Sequence, residues 1–306
     1  MDNLDLQKKI TDLKKQKNAV ILAHFYQTMD IQQIADHVGD SFELSKRAKG
    51  AAGGLIVFCG VNFMAESAKL LSPEKTVLLP SPDAGCPMAD MASPGIVKQL
   101  KARHPDAEVM CYVNSSAATK AECGVCCTSS NAVTIAKKIG PDEIIFIPDK
   151  NLGAYVAGFV PEKRFIFMEG WCPIHKNITK EETLKKKKEF PGAKLAVHPE
   201  CEPAVAALAD FVGSTSQILA YCENSAHAEF IIGTEYGVAE RLRYFRPDKK
   251  YHMLSPSLVC PNMKKTALED VFNCLADESG SYAVNLPEDL IQRARRPLDK
   301  MLQLGQ

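Results

Sequence analysis

The chain has 306 residues, 46% of them hydrophobic, with 37 basic side chains balanced by 37 acidic ones. That suits a globular protein of about two domains with a sizeable core, and the zero net charge gives no basic footprint for nucleic acid or an anionic membrane. The start M-D-N-L-D-L-Q-K-K-I lacks a signal-peptide pattern and no apolar run is long enough to span a bilayer, so the expected compartment is the cytosol, where eleven cysteines do not read as a disulfide framework.

The first element is a helical pattern, L-Q-K-K-I-T-D-L-K-K-Q-K. An apolar run, A-V-I-L-A-H, ends at His24. G-D-S follows at Ser41 and opens another helix, where Asp40 and Glu43 have capping-box spacing. Next come G-L-I-V-F-C, the helical N-F-M-A-E-S-A-K-L-L, and K-T-V-L-L-P, which leads to A-G-C-P-M at Cys86. A linking helix, G-I-V-K-Q-L-K-A-R, then begins the series again. It runs through E-V-M-C-Y-V with Tyr112, T-S-S at Ser129, N-A-V-T-I-A-K-K-I, E-I-I-F-I-P and R-F-I-F-M-E to G-W-C-P-I at Cys172. The charged helix E-E-T-L-K-K-K-K-E-F opens a third series, and its lysine run Lys185–Lys188 reads as a solvated face. This series holds A-K-L-A-V-H ending at His198, G-S-T-S with Thr215, E-F-I-I-G-T, V-A-E-R-L-R-Y-F, Y-H-M-L and L-V-C-P-N at Cys260.

The three Cys-Pro pairs are spaced by 86 and 88 residues, and the strand ends and hydroxyl clusters keep nearly the same step. Such a period means an internal repeat. Short apolar runs alternating with helices read as parallel strands in α/β units, three strands to a unit. The expected architecture is α/β, with three similar small αβα domains arranged about a pseudo-threefold axis. Their expected bounds are 1–99, 100–189 and 190–275, with the segment 276–306 packing on the first.

In open α/β sheets, ligands bind beyond the carboxyl ends of the strands. Units packed about one axis would bring Cys86, Cys172 and Cys260 to a shared pocket. Three thiolates favour an iron–sulfur cluster or another soft metal, zinc included; three buried turn cysteines are the plainer alternative. The hydroxyl clusters before helices serve as caps, but three helix N-termini aimed at one pocket also suit a small polyanion. No Walker or dinucleotide glycine pattern is present. His24 with Tyr26, and His198 with Glu200, have the residue types for proton transfer. His175 has no counterpart in the other repeats and reads as incidental. The stretch E-C-G-V-C-C-T, with Cys123, Cys126 and Cys127, imitates a metal or redox motif but occurs once.

The motifs together resemble those of the quinolinate synthase family over nearly the whole chain. They include I-L-A-H-F-Y-Q, V-G-D-S, G-V-N-F-M-A-E, Y-V-N-S, C-T-S-S-N-A-V, P-D-K-N-L-G, H-P-E-C, V-G-S-T and C-P-N-M-K-K. The resemblance implies one [4Fe-4S] cluster on Cys86, Cys172 and Cys260, with one iron open. It implies condensation of iminoaspartate with dihydroxyacetone phosphate to quinolinate, and a functional link to the enzyme that supplies iminoaspartate. It implies substrate contacts from His24, Ser41, Tyr112, Asn114, Ser129, His198, Glu200, Ser214 and Thr215, with Tyr26 and Glu200 handling protons alongside His24 and His198. Phe25 departs from the asparagine that some relatives carry, and the cysteine-rich C-terminal extension of longer members is not expected. Competing readings are an aconitase-like hydro-lyase acting on one polycarboxylate and an iron–sulfur sensor.

Overall fold

The computed structural model describes residues 3–305. Among the described residues, twelve strands form three sheets of four. The first sheet holds β1 (Ala19–His24), β2 (His37–Gly39), β3 (Leu55–Cys59) and β4 (Thr76–Leu78). The second holds β5 (Glu108–Tyr112), β6 (Val125–Cys127), β7 (Glu143–Ile147) and β8 (Arg164–Phe167). The third holds β9 (Lys194–Val197), β10 (Phe211–Val212), β11 (Glu229–Gly233) and β12 (Lys250–Met253). All pairings among these strands are parallel, and every sheet has the same order, second strand–first–third–fourth. Helices flank each sheet, so the α/β class and the three similar units are observed. The first and third strands of each unit are buried almost throughout because both sheet faces are covered, which explains their continuous apolar runs.

The sequence pattern missed the second strand of every unit. These strands have only two or three residues and lie on sheet edges, too short to show a period. In the middle unit this edge strand is Val125–Cys127 itself. The C-x-x-C-C stretch is therefore partly a buried strand.

The expected bounds 1–99, 100–189 and 190–275 count the repeat step alone. Packing divides the chain differently near its end. Helix Leu268–Ala276 lies on helix Asn3–Gln16 of the first unit. Residues Tyr282–Val284 then run along the free edge of β4, with Leu79 N–H donating to Tyr282 O at 3.0 Å and Val284 N–H to Val77 O at 2.8 Å. The last helix, Glu288–Leu304, packs against Asn62–Leu71 of the first unit but also against β6 and helix Ala117–Lys120 of the second. Its apolar stripe, Ile291, Ala294, Leu298, Met301 and Leu302, belongs to a core shared by both units. The third unit has apolar clusters of its own, into which Phe25 of the first unit inserts.

Candidate active site

Each Cys-Pro pair makes a local device. In the first two units the cysteine is the N-cap of a one-turn helix, Pro87–Met91 or Pro173–Lys176, with proline at the first helical position. Proline suits that position because its φ is preset and no donor is needed there. The next free backbone N–H groups then face the sulfur: those of Met88 and Ala89 for Cys86, and that of His175 for Cys172. In the third unit Pro261 is followed by turns instead of a helix, yet the Asn262 and Met263 amides face Cys260 in the same way. Burial pushes all three thiols up, Cys86 to about 12, while these amides pull towards the thiolate.

A cavity of about 310 Å³ gathers equivalent side chains from all three units. One ring is Cys86, Cys172 and Cys260; a second is His24, Tyr112 and His198; a third is Ser41, Ser129 and Thr215. Tyr26, Asn114 and Glu200 line it as well. Ser214 does not: it is fully buried one residue behind, capping helix Thr215–Asn224 in a true capping box with Gln217. Ser41 and Thr215 are the first helical residues, capped by Asp40 and Ser214, whereas Ser129 precedes the N-cap Asn131 of the middle helix by two. Asp40 accepts from the Phe42 and Glu43 amides, but Glu43 turns to Lys46 and Arg47, so only half of the expected capping box forms.

The two strand-end histidines share one conformation. His24 Nδ1 accepts the Tyr26 N–H at 3.1 Å, and His198 Nδ1 accepts the Glu200 N–H at 3.3 Å. A ring nitrogen that accepts leaves the proton on the other, so Nε2 is the donor in each ring. For His198 it meets Ser129 Oγ at 3.2 Å. Burial lowers His24 to about 3, with Lys264 adding to it, and lowers His198 to about 4 against the pull of Glu200. Both rings are neutral at pH 7.

Glu200 is 4% exposed. Burial alone would raise its pKa, but His198 and His175 beside it and hydrogen bonds from His175 and Tyr112 hold it below the ordinary carboxylate range. Tyr112 donates to Oε1 at 2.7 Å, and His175 Nδ1 lies 2.7 Å from Oε2. Burial, then Glu200, pushes the Tyr26 and Tyr112 phenols well up, so both stay protonated. A line of contacts joins them: Tyr26 OH to Thr234 Oγ1 at 2.9 Å, Thr234 Oγ1 to His175 Nε2 at 3.1 Å, then His175 to Glu200 and Tyr112. Asn114 Oδ1 is buried without a partner in the cavity wall.

A profile of the family described as "Quinolinate synthetase A protein" matches residues 8–303. The chain belongs to the quinolinate synthase family. It is 53% identical over 305 residues to the quinolinate synthase of Caldicellulosiruptor saccharolyticus, covering all of both chains. It is 49% identical to that of Alkaliphilus metalliredigens, over 99% of this chain and 100% of the relative. It is 50% identical to that of Geobacter metallireducens over 97% of each. Quinolinate synthase is an enzyme, and the cavity lined by all three units is the candidate site in this chain.

The donor set fits a metal cluster. Cys86, Cys172 and Cys260 are partly exposed and open to the cavity, while seven of the other eight cysteines are buried and none of the eight lines it. The thiols of Cys123 and Cys126 turn instead to Cys111, which pairs in register with Cys126 across β5 and β6. Sequence reasoning set His175 aside; it is 1% exposed, 3.3 Å from Cys172 Sγ and bonded to Glu200. The absence of a repeat counterpart hid it, because two of its partners, Glu200 and Thr234, come from the third unit. Asp149 and Glu235 were also missed. Asp149 accepts the Cys172 N–H at 2.9 Å, and Glu235 accepts the Cys260 N–H at 3.2 Å. They are one repeat step apart, which was the signal available; the first unit has Val61 there.

Proposed function

We propose that this family member condenses iminoaspartate with dihydroxyacetone phosphate to give quinolinate, phosphate and water. It does so as a transferase-class condensing enzyme in NAD biosynthesis, carrying one [4Fe-4S] cluster on Cys86, Cys172 and Cys260. The observation that carries this reading is the convergence of three repeat-equivalent rings of side chains on one cavity. When bound, a cluster with one iron free of protein ligands supplies Lewis-acid assistance for loss of hydroxyl.

The chain's own residues do the remaining work. Hydroxyls and first-turn amides at Ser41 and Thr215, with Ser129 between them, suit the carboxylates and phosphate of the substrates. Ser214 sets the helix start that presents Thr215. The Asn114 carbonyl is a free acceptor for a substrate N–H or hydroxyl. His24 and His198, neutral and protonated on Nε2, donate to substrate oxygens. Glu200, ionised, takes protons; Tyr26, held protonated, returns them during isomerisation and dehydration. Thr234 and His175 connect the two. The imine substrate is hydrolysable, so the reaction that oxidises aspartate must lie close in sequence or space. All eleven cysteines are free thiols, which suits the reducing cytoplasm.

Anaerobic reconstitution with iron and sulfide, paired with a quinolinate assay, tests this. Cys86→Ser, Cys172→Ser and Cys260→Ser should each lose the cluster, and Cys126→Ser should keep it. Glu200→Gln should keep the cluster and lose about a hundredfold or more in turnover. Full activity in metal-free protein would remove the cluster from the reaction, and turnover without dihydroxyacetone phosphate would point to a hydro-lyase instead.

A further inference from the structure

Three unlike donors meet at one edge of the cavity. Cys172 Sγ is 3.3 Å from His175 Nδ1, which is 2.7 Å from Glu200 Oε2. Sulfur, nitrogen and oxygen all lie within 4.8 Å of one another. Thiolate, imidazole and carboxylate are the donors of zinc sites. Zinc bonds of about 2.3 Å to sulfur and about 2.0–2.1 Å to nitrogen or oxygen place tetrahedral donor atoms roughly 3.3–3.6 Å apart. The sulfur–nitrogen separation is about 0.2–0.3 Å short of its tetrahedral length, and the carboxylate needs to recede from Nδ1 by about 0.6 Å.

Each donor is also held from behind. His175 Nε2 contacts Thr234 Oγ1 at 3.1 Å, which fixes the ring and leaves Nδ1 facing the other donors. Glu200 Oε1 is anchored by Tyr112 OH at 2.7 Å, leaving Oε2. The Cys172 backbone is tied to Asp149 at 2.9 Å. Outer hydrogen bonds of this kind orient metal ligands. His198, the next donor, has Nδ1 taken by the Glu200 N–H and Nε2 by Ser129. The fourth position of an ion would therefore open to the cavity and hold water.

The geometry points to a mononuclear site for a zinc-class divalent cation on Cys172, His175 and Glu200 in the cluster-free chain. Binding displaces the thiol proton to solvent, and the proton that His175 Nδ1 offers to Glu200 moves by tautomer exchange to Nε2, where Thr234 Oγ1 accepts it and Nδ1 is left free to ligate. The site excludes the cluster because both require Cys172; this exclusion rests on the proposed cluster ligation, whereas the zinc site does not.

The test uses the full chain, stripped with EDTA under anaerobic conditions and titrated with zinc and, in parallel, with cobalt(II). One ion per chain is expected, with the sulfur-to-cobalt charge-transfer intensity of a single thiolate. Cys172→Ser should abolish that band. His175→Ala should weaken zinc binding by about tenfold or more while its circular dichroism matches the wild type. Cys86→Ser and Cys260→Ser should bind zinc like the wild type. Zinc-loaded protein should not assemble a cluster until the zinc is chelated. A cobalt spectrum of three thiolates would assign the ion to the cysteine ring and overturn the site, whatever the variants' folding. Zinc binding lost in Cys86→Ser, or indifferent to His175→Ala, would do the same. If Cys86→Ser still assembled a cluster, the cluster ligation would fail while the single-thiolate spectrum upheld the zinc site.

Discussion

His198 shows how one buried side chain ties the site to the stability of the fold. Its folded pKa of about 4 lies below the ordinary 6.5 because burial disfavours the imidazolium more than Glu200 favours it. Between those values the unfolded chain binds a proton that the folded chain does not. Stability is therefore fully present above pH 6.5 and declines as pH falls towards 4. From pH 7 to pH 5 this one group accounts for a loss of about 2 kcal/mol. In urea unfolding of the cluster-free protein, His198→Gln should shrink the difference between those two pH values by that amount. Identical pH dependence in both proteins would mean that His198 is charged in the fold. His24 acts in the same direction, with a folded pKa of about 3. Both histidines were legible in the sequence because they end equivalent strands. Phe25, beside His24, was not: its ring packs in the third unit's core with Arg241 5.2 Å over it, a partner more than 200 positions away.

At the scale of elements, caps aim the chemistry. Asp40 starts helix Ser41–Gly50 by accepting two amides, and its other oxygen bonds the Ser216 hydroxyl of the third unit. Asp40→Ala should cost about 1–2 kcal/mol in chemical denaturation, and Asp40→Asn should recover most of it, since asparagine caps about as well. No loss in the alanine variant would show that the cap contributes nothing. The Cys-Pro turns follow the same logic: a proline at the helix start leaves the next amides to face the sulfur. Strands and long helices were readable because burial on both faces or on one stripe imposes a pattern. The edge strands were not, since two or three residues satisfy their hydrogen bonds without imposing one.

Across the whole molecule, the last helix joins the first two units into one apolar core. Leu298 is fully buried there. Leu298→Ala should destabilise by about 2–5 kcal/mol. Leu184→Ala, at a position 47% exposed, should change stability by no more than about 0.5 kcal/mol. Equal effects in urea titrations would mean that the helix is not part of the shared core. The sequence by itself determined the threefold repeat, the main strands and the residues that end them, because local burial and a constant step are written along the chain. Only the tertiary structure decided that His175 meets Glu200, that Tyr26 reaches Thr234 and Thr215, and that Asp149 and Glu235 hold two of the cysteine turns. The first two are contacts between units, and a repeat dictates the shape of each unit without dictating which side chains meet when the units pack. The carboxylate contacts lie within units, but they join residues more than 20 positions apart, beyond the reach of local pattern.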